Sequence, residues 1–228
     1  YEQTDRQKQS GGKHMNPAMK CMKLDFMLLK PYAKSVLLVL LVPLMFPFFT
    51  GSLLEGLSFG VTVTAMTTAY TFSISEKNGM ERFYGFLPVG RGSLVAGRYL
   101  AVFGIGYLAL LLETALQSAI LLWAVKSPPS GGELLSSLLL GMLLFTIYAG
   151  VQLPGYYKYG SIRGKIFMFI PTVGFLVFYY LAGKLGIGEA WQLLSRPAAA
   201  AGCALALAAC IIGISAAFSI RIVNKAGR

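Results

Sequence analysis

Six stretches of this chain run for about twenty residues with almost no charge, and polar segments rich in Lys, Arg, Gly and Pro separate them. They cover residues 35–54, 56–75, 99–125, 134–157, 166–183 and 197–220, and Glu113 is the one ionisable residue inside any of them. Such runs match the length a helix needs to cross a bilayer, about 20 residues at 1.5 Å rise each. Helix is the form open to them because each backbone amide in lipid must be satisfied within its own segment. The expected fold class is all-α, a polytopic membrane domain with six transmembrane helices. The first run contains Pro43 and Pro47, which predicts a bent helix with irregular hydrogen bonding.

The segment before the first run, NPAMKCMKLDFMLLKPYAK, has a different rhythm. Asn16 suits an N-cap and Pro17 a first helical turn. Met19, Met22, Phe26, Leu29 and Ala33 recur at helical spacing, while Lys20, Lys23, Lys30 and Lys34 share an arc of about 80° at 100° per residue. This predicts an interfacial helix whose apolar stripe sinks to the headgroups while its ammonium groups stay wet. Pro31 divides it from the first span.

Composition agrees with the pattern. Of 228 residues, 56% are hydrophobic and 13% charged, with a mean hydropathy of +0.65, more apolar surface than a water-soluble domain of this size can cover. Residues 1–14, YEQTDRQKQSGGKH, read as a vector-derived leader ahead of Met15 and stand apart from a single membrane domain over 15–228. The charge of +11 is sided. Fourteen Lys and Arg flank the spans on one side, among them Lys77, Arg82, Arg91, Arg98, Lys158, Arg163, Lys165, Arg221, Lys225 and Arg228. Lys126, Lys184 and Arg196 are the three on the other. The positive-inside rule then places both termini in the cytoplasm. The positive charge serves membrane orientation and contact with anionic lipid or a cytosolic partner rather than nucleic acid.

The connection between the second and third runs, SEKNGMERFYGFLPVGRGSLVAGRYL, changes character within a few residues. Charges at Glu76, Lys77, Glu81 and Arg82 give way to Phe83, Tyr84, Phe86 and Leu87, before Pro88 and Gly90 interrupt. A short amphipathic helix flat on the membrane fits this order and would offer charges and aromatics to something in the cytosol. The run Glu81-Arg82, Leu87-Pro88-Val89, Arg91, Val95 and Arg98-Tyr99-Leu100 resembles the signature loop of ABC-2 type permeases, the membrane halves of ATP-driven exporters. Gly90 departs from the Ser or Thr common there.

The resemblance extends over residues 15–228 and implies a coupling helix between spans 2 and 3 that docks on a separate cytosolic ATPase. It implies an assembly of two ABC ATPase subunits with two permeases, the second a copy or a homologue, in a bacterial plasma membrane. Glu76, Glu81, Arg82, Phe83, Leu87, Pro88, Val89 and Arg91 would then transmit the ATPase motion. Within the family, the short build is most similar in type to the Gram-positive phenol-soluble-modulin exporters, which implies an amphipathic or hydrophobic peptide as substrate.

Chemistry on the chain itself is sparse. The nearest approach to a phosphate-binding G-x-x-x-x-G-K-[ST] loop is residues 160–166, GSIRGKI, one residue short between its glycines and with Ile166 where a magnesium-binding hydroxyl belongs. ATP and magnesium are thus expected on the partner, with no cofactor or metal here. His14 lies in the leader, no H-E-x-x-H motif occurs, and no span holds two acids, so no catalytic residues are expected.

Glu113 and Gln117, one helical turn apart, have two readings: lining of a translocation path, or an interhelical hydrogen-bonded pair. Tyr179 and Tyr180 near the outer end of the fifth run suit either an exit or an aromatic belt. Two small-residue ridges on the last run, Ala198-Gly202-Ala206-Cys210 and Ala201-Ala209-Gly213-Ala217, predict close helix packing, by default within the chain and alternatively at a subunit interface. Other classes that fit the hydropathy are a proton-coupled secondary exporter using Glu113 and a membrane scaffold or sensor.

Overall fold

The protein is described as a computed structural model over residues 16–80, 84, 90–126, 128–185 and 197–226. Asn16 opens the first helix as expected: its Oδ1 accepts from the Ala18 N–H at 3.2 Å, and Pro17 takes the first helical position. This helix, α1 (Pro17–Leu29), passes through a 3₁₀ turn, Lys30–Tyr32, into α2 (Ala33–Leu41). Pro31 therefore tightens the helix locally without ending it. Pro43 tightens it again into a 3₁₀ segment, Val42–Met45. The short α3 (Phe46–Thr50) ends at Gly51, whose φ of 64° is a left-handed conformation that glycine adopts without strain. The irregular first span foreseen from its prolines is what the backbone shows.

Next come α4 (Leu53–Lys77), α5 (Arg91–Ile120) with a π-helical extension over Leu121–Val125, and α6 (Gly131–Arg163). The short α7 (Lys165–Met168), α8 (Ile170–Leu185) and α9 (Pro197–Ala226) complete the chain. Every regular element among the described residues is helical. Among the described residues, four helical stretches are long and apolar enough to cross a membrane: Pro17–Thr50, Arg91–Val125, Gly131–Arg163 and Gly202–Lys225. The 25 residues of α4 span roughly 37 Å at 1.5 Å each, ample in length, but the helix is more polar than these four.

That polarity has a structural reason. α4 packs against the first span, α5, α6 and α8, and Ser58, Thr62, Thr64, Thr68, Thr71 and Ser75 are all buried along it. Two of these hydroxyls are satisfied along the helix itself, Ser58 donating to the Leu54 carbonyl at 2.7 Å and Thr62 to that of Ser58 at 3.1 Å, while Thr64 and Ser75 bond across to α5. Small hydroxyl residues let neighbouring backbones approach closely without stranding a polar group in lipid. The apolar core joins Leu57, Val61 and Phe72 of α4 to Val102, Phe103 and Leu110 of α5 and Phe145, Leu153 and Tyr156 of α6.

The last helix corrects the sequence reading. Gly202, Ala206, Cys210, Ala209, Gly213 and Ala217, chosen above as packing ridges, are exposed in this chain. α9 packs instead through Ser215 and Ser219, which share hydrogen bonds of 2.7 and 2.8 Å with the Tyr99 hydroxyl, and Ser215 donates to the Gly150 carbonyl at 2.6 Å. Buried polar groups in an apolar surround gain more from partners on one face than small side chains gain from contact alone.

Candidate functional site

The basic ends of α1, α4, α5, α6 and α9 converge on Arg98. It sits on the first turns of α5, 7% exposed, opposite Asp25 of α1 at 3%. Arg98 Nε donates to Asp25 Oδ2 at 3.3 Å and Nη2 to Asp25 Oδ1 at 3.1 Å. The same Nη2 reaches Ser75 Oγ of α4 at 2.7 Å and the Tyr84 hydroxyl at 3.3 Å, and that hydroxyl donates to Asp25 Oδ1 at 3.2 Å. The guanidinium also lies over the Phe72 ring, 4.8 Å from its centroid. One cation thus ties together the N-terminal helix, the end of α4, the start of α5 and the connection that carries Tyr84. Burial, reinforced by the Asp25 charge, pushes the Tyr84 phenol up to about 12, so it remains a neutral donor.

Close backbone approach permits this. Gly97, next to Arg98, faces α1: a Cβ there would stand 2.6 Å from the Ala18 carbonyl oxygen and 2.7 Å from Cys21 Cβ. α1 thus docks through Ala18, Cys21 and Asp25, its buried residues, while Met19, Phe26 and Met27 stay exposed beside the exposed Lys20 and Lys23. The apolar stripe and lysine arc read from the sequence are both present. A third face, carrying the buried acid, was missed, and a lone Asp in a lysine-rich helix was the only signal for it.

Glu76, expected at the start of the coupling loop, is occupied inside the chain. Its carboxylate accepts from both the backbone N–H and the hydroxyl of Ser161. Ser161 follows Gly160, whose φ of 71° breaks the end of α6, so Glu76 holds the displaced last turn. Residues 160–166 accordingly form a helix break and turn rather than a phosphate loop. Glu76 and Arg91 line a common cavity of about 520 Å³ with Asp25, Phe72, Tyr84, Arg98, Tyr156 and Lys158. Glu81, Arg82, Phe83, Leu87, Pro88 and Val89 lie outside the described residues.

Glu113 and Gln117 belong to a separate group, deeper in the bundle. They are 3% and 0% exposed. Each fills the notch of a glycine on α4: a Cβ on Gly60 would collide with Glu113 Oε2, and one on Gly56 would stand 2.6 Å from Gln117 Oε1. Pro43 and Pro47 of the first span close the same notches from beyond. Thr64 donates to Glu113 Oε1 at 3.2 Å across the α4–α5 interface. Glu113→Gln, which keeps the shape and the acceptor, is expected to change stability by less than about 1 kcal/mol. Glu113→Ala, which leaves Thr64 without its acceptor and a void between three helices, should cost about 1–3 kcal/mol. Thermal unfolding in detergent measures both. Tyr180 stands apart on α8, 61% exposed with Lys184 Nζ 4.9 Å from its ring centroid. The Tyr179 side chain lies outside the described residues.

A family model described as ABC-2 family transporter protein matches residues 22–224. The chain belongs to the ABC-2 transporter family. That match begins within α1 and ends within α9, so it includes Asp25, Ser75, Tyr84 and Arg98. Neither the comparison with curated proteins nor that with solved structures returned a match. The ABC-2 assignment makes this a multi-pass membrane protein, the membrane component of an ABC transporter. ABC-2 permeases carry no ATP site of their own and generally work with ABC ATPase partners.

Proposed function

We infer that this chain is the permease of an ABC exporter, driven by two cytosolic ATPases that dock on residues 76–91. The observation that carries the reading is the anchorage of that segment. Glu76 at one end grips Ser161, and Tyr84 within it is tied to Asp25 and Arg98. A push delivered there would reach α1, α4, α5 and α6 together, because buried hydrogen-bonded groups move as a unit. Arg91 lines the same cavity and begins α5, a helix of 30 residues.

On this reading there are six spans in a bacterial plasma membrane. α4 and α8 supply the two spans beyond the four most apolar stretches, and both termini face the cytosol. Two permeases enclose the path, and the substrate is an amphipathic or hydrophobic peptide. The exposed apolar residues Leu37, Leu38 and Leu41 of α2 and Val173, Leu176 and Val177 of α8 supply lipid- or partner-facing surface in keeping with that arrangement. Glu113 and Gln117 hold the first span, α4 and α5 together, so that motion at the basic end reaches the middle of the bundle.

The test is uptake of a fluorescent amphipathic helical peptide into inverted vesicles that contain the permease and its ABC ATPase. Uptake should follow ATP and survive an uncoupler. Leu87→Asp should lower it at least roughly tenfold, as for truncation of an interface hot spot, with permease abundance unchanged. Uptake that stops with the uncoupler and ignores ATP would instead fit a proton-coupled exporter.

A further inference from the structure

We propose that the passage from α6 into α8, residues 162–169, is a seat for the anionic headgroups of the adjoining leaflet. Two inward contacts fix its orientation. Ser161, just after the break at Gly160, is held to α4 by Glu76 through its N–H and hydroxyl. Phe167 fills a notch on α6, where a Cβ on Gly155 would stand 2.7 Å from the ring. The opposite face therefore points away from the bundle. Ile162 on it is 77% exposed and Ile166 70%, and Phe169 follows one helical step on, also exposed.

That face continues into the membrane. The chain is helical from 161 to 185 apart from single-residue turns at Gly164 and Phe169. Ile162, Ile166, Phe169, Val173 and Leu176 recur at helical spacing and are all exposed, so they form one apolar ridge. In a multi-pass membrane protein the α8 part of such a ridge lies against acyl chains. Its first members, at the basic end of the bundle, then meet the boundary between acyl chains and headgroups.

The cations match that depth. Arg163 follows Ile162 and Lys165 precedes Ile166, which at about 100° per residue puts them on opposite flanks of the ridge. Both are exposed, and neither takes part in a hydrogen bond, ion pair or ring contact among the described residues. Long basic side chains beside an apolar stripe extend their charge to the phosphates. Each such cation strengthens attraction to an anionic surface on the order of fivefold. An acidic protein surface would answer the charges alone, whereas a leaflet answers both the charges and the isoleucines between them.

An environment-sensitive fluorophore on Ile162→Cys tests this, in the full chain with Cys203→Ala and Cys210→Ala; Cys21 is buried. The protein is placed one chain per nanodisc in phosphatidylcholine with increasing phosphatidylglycerol. Emission should move to the blue and quenching by acrylamide should fall as phosphatidylglycerol rises. Arg163→Gln/Lys165→Gln should raise the phosphatidylglycerol fraction at half response at least roughly fivefold, the factor carried by one surface cation. Lys184→Gln, exposed at the far end of α8, should leave the response unchanged and so separates local contact from net charge. Gel filtration identifies a misfolded variant. In that event the parent in about 1 M salt, where screening acts within about 3 Å, should lose the response to phosphatidylglycerol in the same way. A fluorophore open to acrylamide at every composition overturns the proposal. Shielding that is complete in pure phosphatidylcholine and unchanged in the double variant overturns the anionic assignment. Shielding that appears only with two chains per nanodisc identifies a second copy of this chain as the occupant and overturns it too.

Discussion

Arg98→Ala is expected to be the most damaging single substitution in the described structure, at a cost of about 3–5 kcal/mol. The lost attraction between Arg98 and Asp25 is the smaller part. The larger part is what stays behind: a carboxylate 3% exposed, with only the Tyr84 hydroxyl among the described residues still donating to it. A buried charge without its partner is far less stable than either a paired charge or an apolar replacement for both. Arg98→Gln/Asp25→Asn should therefore recover most of the loss, since two neutral amides of similar shape can still bond to one another. Thermal unfolding of the parent, Arg98→Gln, Asp25→Asn and the double variant as a double-mutant cycle gives the coupling directly. An Arg98→Ala protein as stable as its parent would mean that the cluster is hydrated, and the mechanical reading of residues 76–91 would lose its support.

The second large effect is expected at Gly97. In Gly97→Val the new Cβ meets two backbone atoms of α1, the Ala18 carbonyl oxygen at 2.6 Å and the Met22 nitrogen at 3.1 Å, besides Cys21 Cβ at 2.7 Å. No rotamer change relieves a clash with backbone, so α1 must move off α5. Overpacking of this kind costs about 1–3 kcal/mol, and the displacement also spoils the geometry of Asp25 on Arg98. Cys21, 6% exposed, reports the movement: with Cys203 and Cys210 replaced by alanine, its labelling by a maleimide should accelerate strongly in Gly97→Val. Unchanged labelling would show that α1 does not depend on this approach.

These residues show where sequence reading stops. Asn16 and Pro17 as a helix start, the proline-bent first span and the exposed lysine arc of α1 were all legible, because each depends on neighbours within one or two helical turns. Asp25 and Arg98 are 73 positions apart and Glu76 and Ser161 85, so nothing in the local pattern pairs them. The ridges of α9 misled for a related reason. Small residues announce that a close approach is possible, but Tyr99, 116 positions away from Ser215, decided which face of α9 turned inward. Glu113 and Gln117 were visible as anomalies in an apolar run, yet the glycines that receive them on α4 were only two among many.

By itself, the order of residues determined a helical membrane protein and the start of its first helix. Lipid accepts an open segment only when its backbone bonds are internal, and that requirement is met or failed within each run of residues. Tertiary structure alone decided which polar side chains share a partner: Asp25 with Arg98, Glu76 with Ser161, Glu113 with Thr64. Their energies depend on burial and on distances of a few ångströms, and both exist only once separate helices have been brought together.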